Sequence, residues 1–201
     1  VDADAEQTNS CNASGLLKKN EKQKEIVIGG HMDGHDISQA AEDNASSIST
    51  MLEVARVLSN NIDLIGGNIR FVAFGSEETG MLGSKYYSEN HDLDNIKLMV
   101  NMDGVGVSRE PKLITCKTDH IDRLANNVAK SLRYDFVVED YINPLSDHWS
   151  FLSKGVPSAY LFPNSNTTGR GWSHTPLDTR DKVKAKNIKE NAMIISLLLI
   201  E

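Results

Sequence analysis

Cysteine is nearly absent from this chain: Cys11 and Cys116 are the only two in 201 residues. They are too few and too far apart for a disulfide framework or a cysteine zinc site, which excludes the small stapled folds. Long hydrophobic runs are missing too, and no apolar stretch approaches the ~18 residues a membrane-spanning helix needs. Positive charge is in deficit, since 21 Lys and Arg against 28 Asp and Glu leave a formal charge of −7. That balance argues against a nucleic-acid partner, because affinity for a phosphate backbone comes from Lys and Arg neutralising it. An acidic surface suits a cationic substrate, and it also serves solubility alone. Internal repeats and low-complexity linkers are lacking as well.

What remains is ordinary for a globular protein, with 39% hydrophobic and 24% charged residues. The length suits one domain with a sizeable core, and we expect that domain to cover 1–201 with a polar lead-in over 1–24. The lysine-rich tract from Lys18 to Lys24 reads as a solvated turn before the first strong strand, not as a binding patch. The sequence opens at Val1 with neither an initiator Met nor a signal-like apolar segment, so it reads as a processed or trimmed product. Three Asn-X-Ser/Thr triplets, at Asn12, Asn44 and Asn166, matter only in a glycosylating secretory route.

From Glu25 onward strands and helices alternate. Strands are expected at Glu25 to Gly30, Asn68 to Phe74, Lys97 to Met102, Phe136 to Glu139 and Pro157 to Phe162, with a short edge strand at Lys112 to Cys116. Helices are expected at Asn44 to Leu58, with Ile48, Met51, Leu52, Ala55 and Leu58 on one face, and at Met81 to Tyr87. Two more follow, Asp119 to Leu132 and one from about Lys184 that buries Ile188, Met193, Ile194, Leu197 and Leu198. Such alternation argues for an α/β three-layer sandwich with a mostly parallel central sheet.

In sheets of that kind ligands bind beyond the carboxyl ends of the strands. The first strong strand ends into "HMDGHDISQAAEDN", bringing His31 and Asp33; the second ends into "GSEETG", bringing Glu77 and Glu78; the third ends into "NMDG", bringing Asp103. Charges crowded at one edge need open water or a cation. Histidine nitrogen and carboxylate oxygen are zinc ligands, and a pair of metals about 3.5–4 Å apart needs a bridging carboxylate and a few terminal ligands. His31, Asp43, Glu78, Asp103 and the late His174 are the candidates. Glu77, beside Glu78, is placed to take a proton from an attacking water. Asp33, two residues after His31, is placed to accept from the ring nitrogen turned away from a metal.

The stretches "GGHMDG…AAEDNAS", "FVAFGSEETGMLGSKYY", "NMDGVG", "SDHWSFLSKGVP" and "SHTPLDTRD" occur in the order in which the co-catalytic di-zinc aminopeptidases, metallopeptidase family twenty-eight, carry their motifs. The chain resembles that family from about Glu25 to its C-terminus. The resemblance implies the zinc-exopeptidase fold and two zinc ions, with cobalt or manganese as substitutes. It makes Asp43 the carboxylate bridging both metals, gives His31 and Asp103 to one and Glu78 and His174 to the other, and makes Glu77 the general base. It also implies hydrolysis of the N-terminal bond of peptides with a free N-terminus, and a secreted or extracellular protein.

The chain departs from the family pattern at Ala40-Ala41 and Ser47, where members often carry Gly-Ala and Gly, and at Ser173, where many carry an oxyanion-stabilising tyrosine. Trp172, Ser173 or the zinc itself is left to fill that role. Asp147 and His148 either line the substrate pocket or begin a short helix capped at Ser146 or Asp147. His35, His91 and His120 read as surface residues, of which His35 alone sits near the site. Four other outcomes belong to the same resemblance. A glutamate-type carboxypeptidase would use Arg170 or Arg180 for the substrate carboxylate. A glutaminyl cyclase would use one zinc and not the full ligand set, a lidded deacylase or dipeptidase would need a longer insertion, and a non-catalytic binding relative would have lost ligands.

Overall fold

Strand β2, Glu25–His31, is buried almost throughout, as a strand of a parallel sheet covered by helices on both faces must be. In the computed structural model, which describes residues 7–107, 110–132, 136–164 and 171–200, it is the third strand across a seven-stranded sheet. It pairs parallel with β3, Asn68–Phe74, on one side and with β4, Ile96–Met102, on the other. Next to β4 runs β7, Ser158–Pro163, also parallel. The antiparallel β5, Pro111–Ile114, and then β6, Val137–Glu139, complete that side. The opposite edge is β1, Ala13–Leu17, antiparallel to β3.

Alternation along the central strands sends side chains into two cores. Ile26, Ile28, Ile69, Leu98 and Val100 pack with helices α1 (Ser46–Ser59), α3 (Asp119–Ser131) and α5 (Ala185–Leu199). Val27, Val72, Phe74 and Met99 pack with Tyr87 of α2 (Leu82–Asn90) and Phe151 of α4 (Trp149–Leu152). The three layers and the mostly parallel mixed sheet are those expected from the sequence.

Some expectations are corrected. The lead-in is not only a solvated turn, because Ala13–Leu17 forms the edge strand; four of its five residues are exposed, so no apolar alternation marks it. β5 is not at an edge but lies between β7 and β6. The buried stripe of α1 is Met51, Val54 and Leu58, whereas Leu52 is 63% exposed, and on α5 Met193 is turned outward. Helix α1 packs on α5 as well as on β2 and β3, and α5 packs on α1 and α3.

The two glycines that precede His31 are required by packing. A Cβ at Gly29 would meet the Phe74 ring, and one at Gly30 would lie 2.8 Å from the Met102 carbonyl oxygen. Among the described residues no helix is long and apolar enough to cross a membrane.

Candidate metal centre

The carboxyl ends of β2, β3 and β4 deliver the first groups. His31 is the last residue of β2, Glu77 and Glu78 follow β3, and Asp103 follows β4 directly. Asp43 comes from the Ala41–Ala45 turn ahead of α1, where the Asp43–Asn44 peptide is cis. His174, at φ 60°, comes from the loop that leads to α5.

These side chains converge. His31 Nε2 lies 3.0 Å from Asp43 Oδ1 and 3.5 Å from Asp103 Oδ1. His174 Nε2 lies 3.1 Å from Asp43 Oδ2 and 3.2 Å from Glu78 Oε2. Asp43 therefore turns one oxygen to each histidine. Zinc bonds to nitrogen and oxygen are about 2.0–2.2 Å, so two ligand atoms on one tetrahedral ion stand about 3.4 Å apart. The observed separations are of that size. Glu78 Oε1 is also buried without a hydrogen-bond partner, which an isolated carboxylate does not tolerate. The donor set and its spacing fit divalent zinc.

Around the ligands a layer of hydrogen bonds sets orientation. His31 Nδ1 is 3.1 Å from the main-chain carbonyl of Asp33 and 3.6 Å from its carboxylate, so the carbonyl takes the proton and leaves Nε2 for a metal. The Asp33 carboxylate instead accepts from the backbone N–H groups of Glu77 at 3.0 Å and Glu78 at 3.2 Å. Asp103 Oδ2 accepts from Ser146 Oγ at 2.8 Å and from Tyr160 Oη at 3.3 Å. Asn44, wholly buried, donates to the Met102 carbonyl and accepts from the Gly104 N–H. Its triplet is therefore closed to glycosylation in the folded chain, while Asn166 and Arg170 lie outside the described residues.

Electrostatics divides the groups into two kinds. Burial alone would lower His31, but hydrogen bonds to Asp103, Asp33 and Asp43 outweigh it and push the ring above the usual histidine range in the metal-free chain. Asp33 and Asp103 are held below the ordinary carboxylate range despite burial, Asp33 by His31 and the two N–H groups, Asp103 by His31, Ser146 and Tyr160. Glu77 behaves in the opposite way. Burial, reinforced by Asp103, Asp147 and Glu78, pushes it up to about 8, although His31 opposes the shift. Such a value suits a group that must both take and return a proton near neutral pH.

The floor and mouth of the site are an open cleft of about 550 Å³, whose lining includes Glu77, Leu145, Tyr160, Phe162, Ser173 and His174. Asp147 and His148, considered for the pocket from the sequence, have no exposed surface and lie behind the cleft at the start of α4. His148 stacks on Tyr160 with ring centroids 4.5 Å apart and contacts the Asn143 carbonyl at 2.8 Å. Burial pushes Asp147 up to about 7.

Sequence reasoning assigned no role to two buried acids that hold the loops together. Asp178 accepts from the N–H groups of Glu42 at 2.6 Å and Asp43 at 3.1 Å. Glu42 in turn accepts from the Trp172 N–H at 2.6 Å. The two loops that carry Asp43 and His174 are thereby fastened to each other in both directions. Trp172 itself turns its ring to Lys182, whose Nζ is 5.1 Å from the centroid. His35 was also given no metal role, yet its Nε2 is 3.1 Å from Glu78 Oε2.

Residues 12–199 match the model of Peptidase family M28. Aminopeptidase YwaD of Bacillus subtilis is 32% identical over 205 residues, covering 96% of this chain and 44% of the relative. Leucine aminopeptidase 1 of Sclerotinia sclerotiorum is 25% identical, covering 90% of this chain and 53% of its own length. Among solved structures, a zinc aminopeptidase from Bacillus subtilis superposes with a TM-score of 0.83 at 28% identity, over 93% of this chain and 48% of that one. A glutaminyl cyclase from an Acidobacteriales bacterium, 18% identical with a TM-score of 0.73 over 94% of this chain and 72% of its own, shares the fold. The chain spans about half the length of the aminopeptidases it matches.

Proposed function

The chain belongs to peptidase family M28, and we propose that its described site is the catalytic centre of a di-zinc aminopeptidase. The observation that carries this reading is Asp43, whose two oxygens face two separate ligand groups, His31 with Asp103 and Glu78 with His174. Two zinc ions held by His31, Asp43, Asp103, Glu78 and His174 would supply acidification of a water and polarisation of the scissile carbonyl. Glu77, in the cleft beside Glu78, takes the proton of the attacking water and returns it to the leaving amine. Asp33 holds Glu77 and Glu78 through their backbone N–H groups, so base and ligand are set by one carboxylate. Ser173, in the cleft lining next to His174, would donate to the developing oxyanion in this reading. The acidic cleft receives the substrate ammonium, which makes a free N-terminus the preferred feature. The same domain reading covers 1–201 as one catalytic unit.

The test compares amino-acid p-nitroanilides, N-acetylated counterparts and peptides with a C-terminal glutamate, each with and without chelator. Chelator-sensitive release from free-amine substrates alone supports the aminopeptidase reading. Release of C-terminal glutamate would favour a carboxypeptidase, and cyclisation of N-terminal glutamine without hydrolysis would favour a cyclase.

A further inference from the structure

We propose that His35 is a direct ligand of the metal held by Glu78 and His174, giving that position four protein ligands in place of three. The inference rests on the di-metal reading above. His35 Nε2 stands 3.1 Å from Glu78 Oε2, and His174 Nε2 stands 3.2 Å from that same oxygen. The ligand atoms of His35, Glu78 and His174 all lie within 4.8 Å of one another. These separations match the edge of a zinc polyhedron, about 3.4 Å, as closely as those around His31 do.

A rival role for His35 is that of an outer partner that orients Glu78 by hydrogen bonding. An outer partner addresses the carboxylate oxygen that the metal leaves over. Here the opposite holds: His35 points at Oε2, the oxygen shared with His174, while Oε1 is buried and has no hydrogen-bond partner. The two imidazoles lie with centroids 4.2 Å apart and planes tilted by 52°, so they converge on Oε2 without stacking flat. The backbone of His35 is fixed as well, since its carbonyl accepts from both the N–H and the Oγ of Ser38, at 3.0 and 3.1 Å. The next residue, Gln39, donates its N–H to the Asp178 carbonyl, which places the His35 loop on the same support as Asp43.

The consequence is asymmetry between the two ions. The position served by His31, Asp43 and Asp103 would have three protein ligands, whereas the other would have four.

The experiment loads the metal-free chain with NMR-active cadmium, a closed-shell stand-in for zinc, and looks for scalar coupling between cadmium and isotope-labelled imidazole nitrogens. Coupling requires a bond. The expected result is coupling at Nε2 of His31, His174 and His35. Coupling at His31 and His174 without His35 overturns the inference and leaves the di-metal reading standing. Coupling at none of the three overturns both. A zinc competition titration supplies an independent readout: His35→Ala should weaken one of the two ions by ~10-fold or more and leave the other unchanged, and unchanged affinity at both ions contradicts the proposal.

Discussion

Asp33 accepts the backbone N–H of Glu77 at 3.0 Å, so the proposed general base is held by a residue that also touches the first histidine ligand through its own carbonyl. One short loop therefore sets the tautomer of His31 and the position of the strand-end turn that carries Glu77 and Glu78. Replacing Asp33 by Ala removes both acceptors for those N–H groups. We expect kcat to fall by about 10- to 100-fold and zinc affinity to fall by a similar factor, measured by steady-state kinetics and chelator competition. Unchanged affinity and turnover would show that the turn holds itself.

Glu77→Gln preserves shape and removes the proton acceptor. Both ions should remain while kcat drops by about 10²- to 10⁴-fold, with the metal count by atomic emission reported beside the rate. Near-normal turnover would sink the general-base assignment.

The Glu42–Asp178 brace predicts a stability change that reaches the site. Asp178 has no exposed surface, so Asp178→Ala strands the N–H groups of Glu42 and Asp43. The expected loss is about 1–3 kcal/mol, which for a chain of this size is a fall in melting temperature of ~2–12 °C. Glu42→Ala frees the Trp172 N–H, so it should lower zinc affinity through His174 more than it lowers melting temperature. Calorimetry together with zinc titration on both variants checks this.

The metal-free chain should lose stability as pH rises. Burial pushes Glu42 up to about 7, Asp147 to about 7 and Glu77 to about 8, whereas the unfolded chain holds these groups near 4 to 4.5. Between those limits the folded state binds more protons than the unfolded one, so the stability they lend is present below about pH 4 and is lost as pH climbs through 7 to 8. Thermal melts of the chelated chain should fall by at least about 4 °C from pH 5.5 to 8.5, equivalent to about 1–2 kcal/mol. The zinc-loaded chain should fall less, since bound cations favour the ionised carboxylates. A flat profile for the chelated chain would contradict the burial account.

Much of this was legible in the sequence because a parallel sheet sends the residue after each buried strand to one edge. His31, Glu77, Glu78 and Asp103 follow three strongly apolar runs, and their meeting required only that topology. Asp43 and His174 end no strand and were candidates on donor chemistry alone; only the bridging role of Asp43 and the division of ligands between two metals came from the motif resemblance. Long-range pairing was not legible: Glu42 meets the Trp172 N–H across 130 positions, and no local pattern marks such a pair. The burial of Asp147 and His148 was hidden for the same reason, as both polar side chains sit in "SDHW" with nothing nearby to signal a buried strand or helix face. The strand at Ala13–Leu17 escaped because an exposed edge carries no apolar alternation. His35 had the right chemistry, but only the loop fold aims its ring at Glu78.

The central claim is that Asp43 joins two metal ions, and metal content per chain tests it most directly. The metal-free protein and its Asp43→Ala variant are each equilibrated with zinc, freed of excess and analysed against protein concentration. The account predicts about two zinc ions per chain for the wild type and a loss of zinc in the variant. One ion in the wild type, or two retained without Asp43, would contradict it.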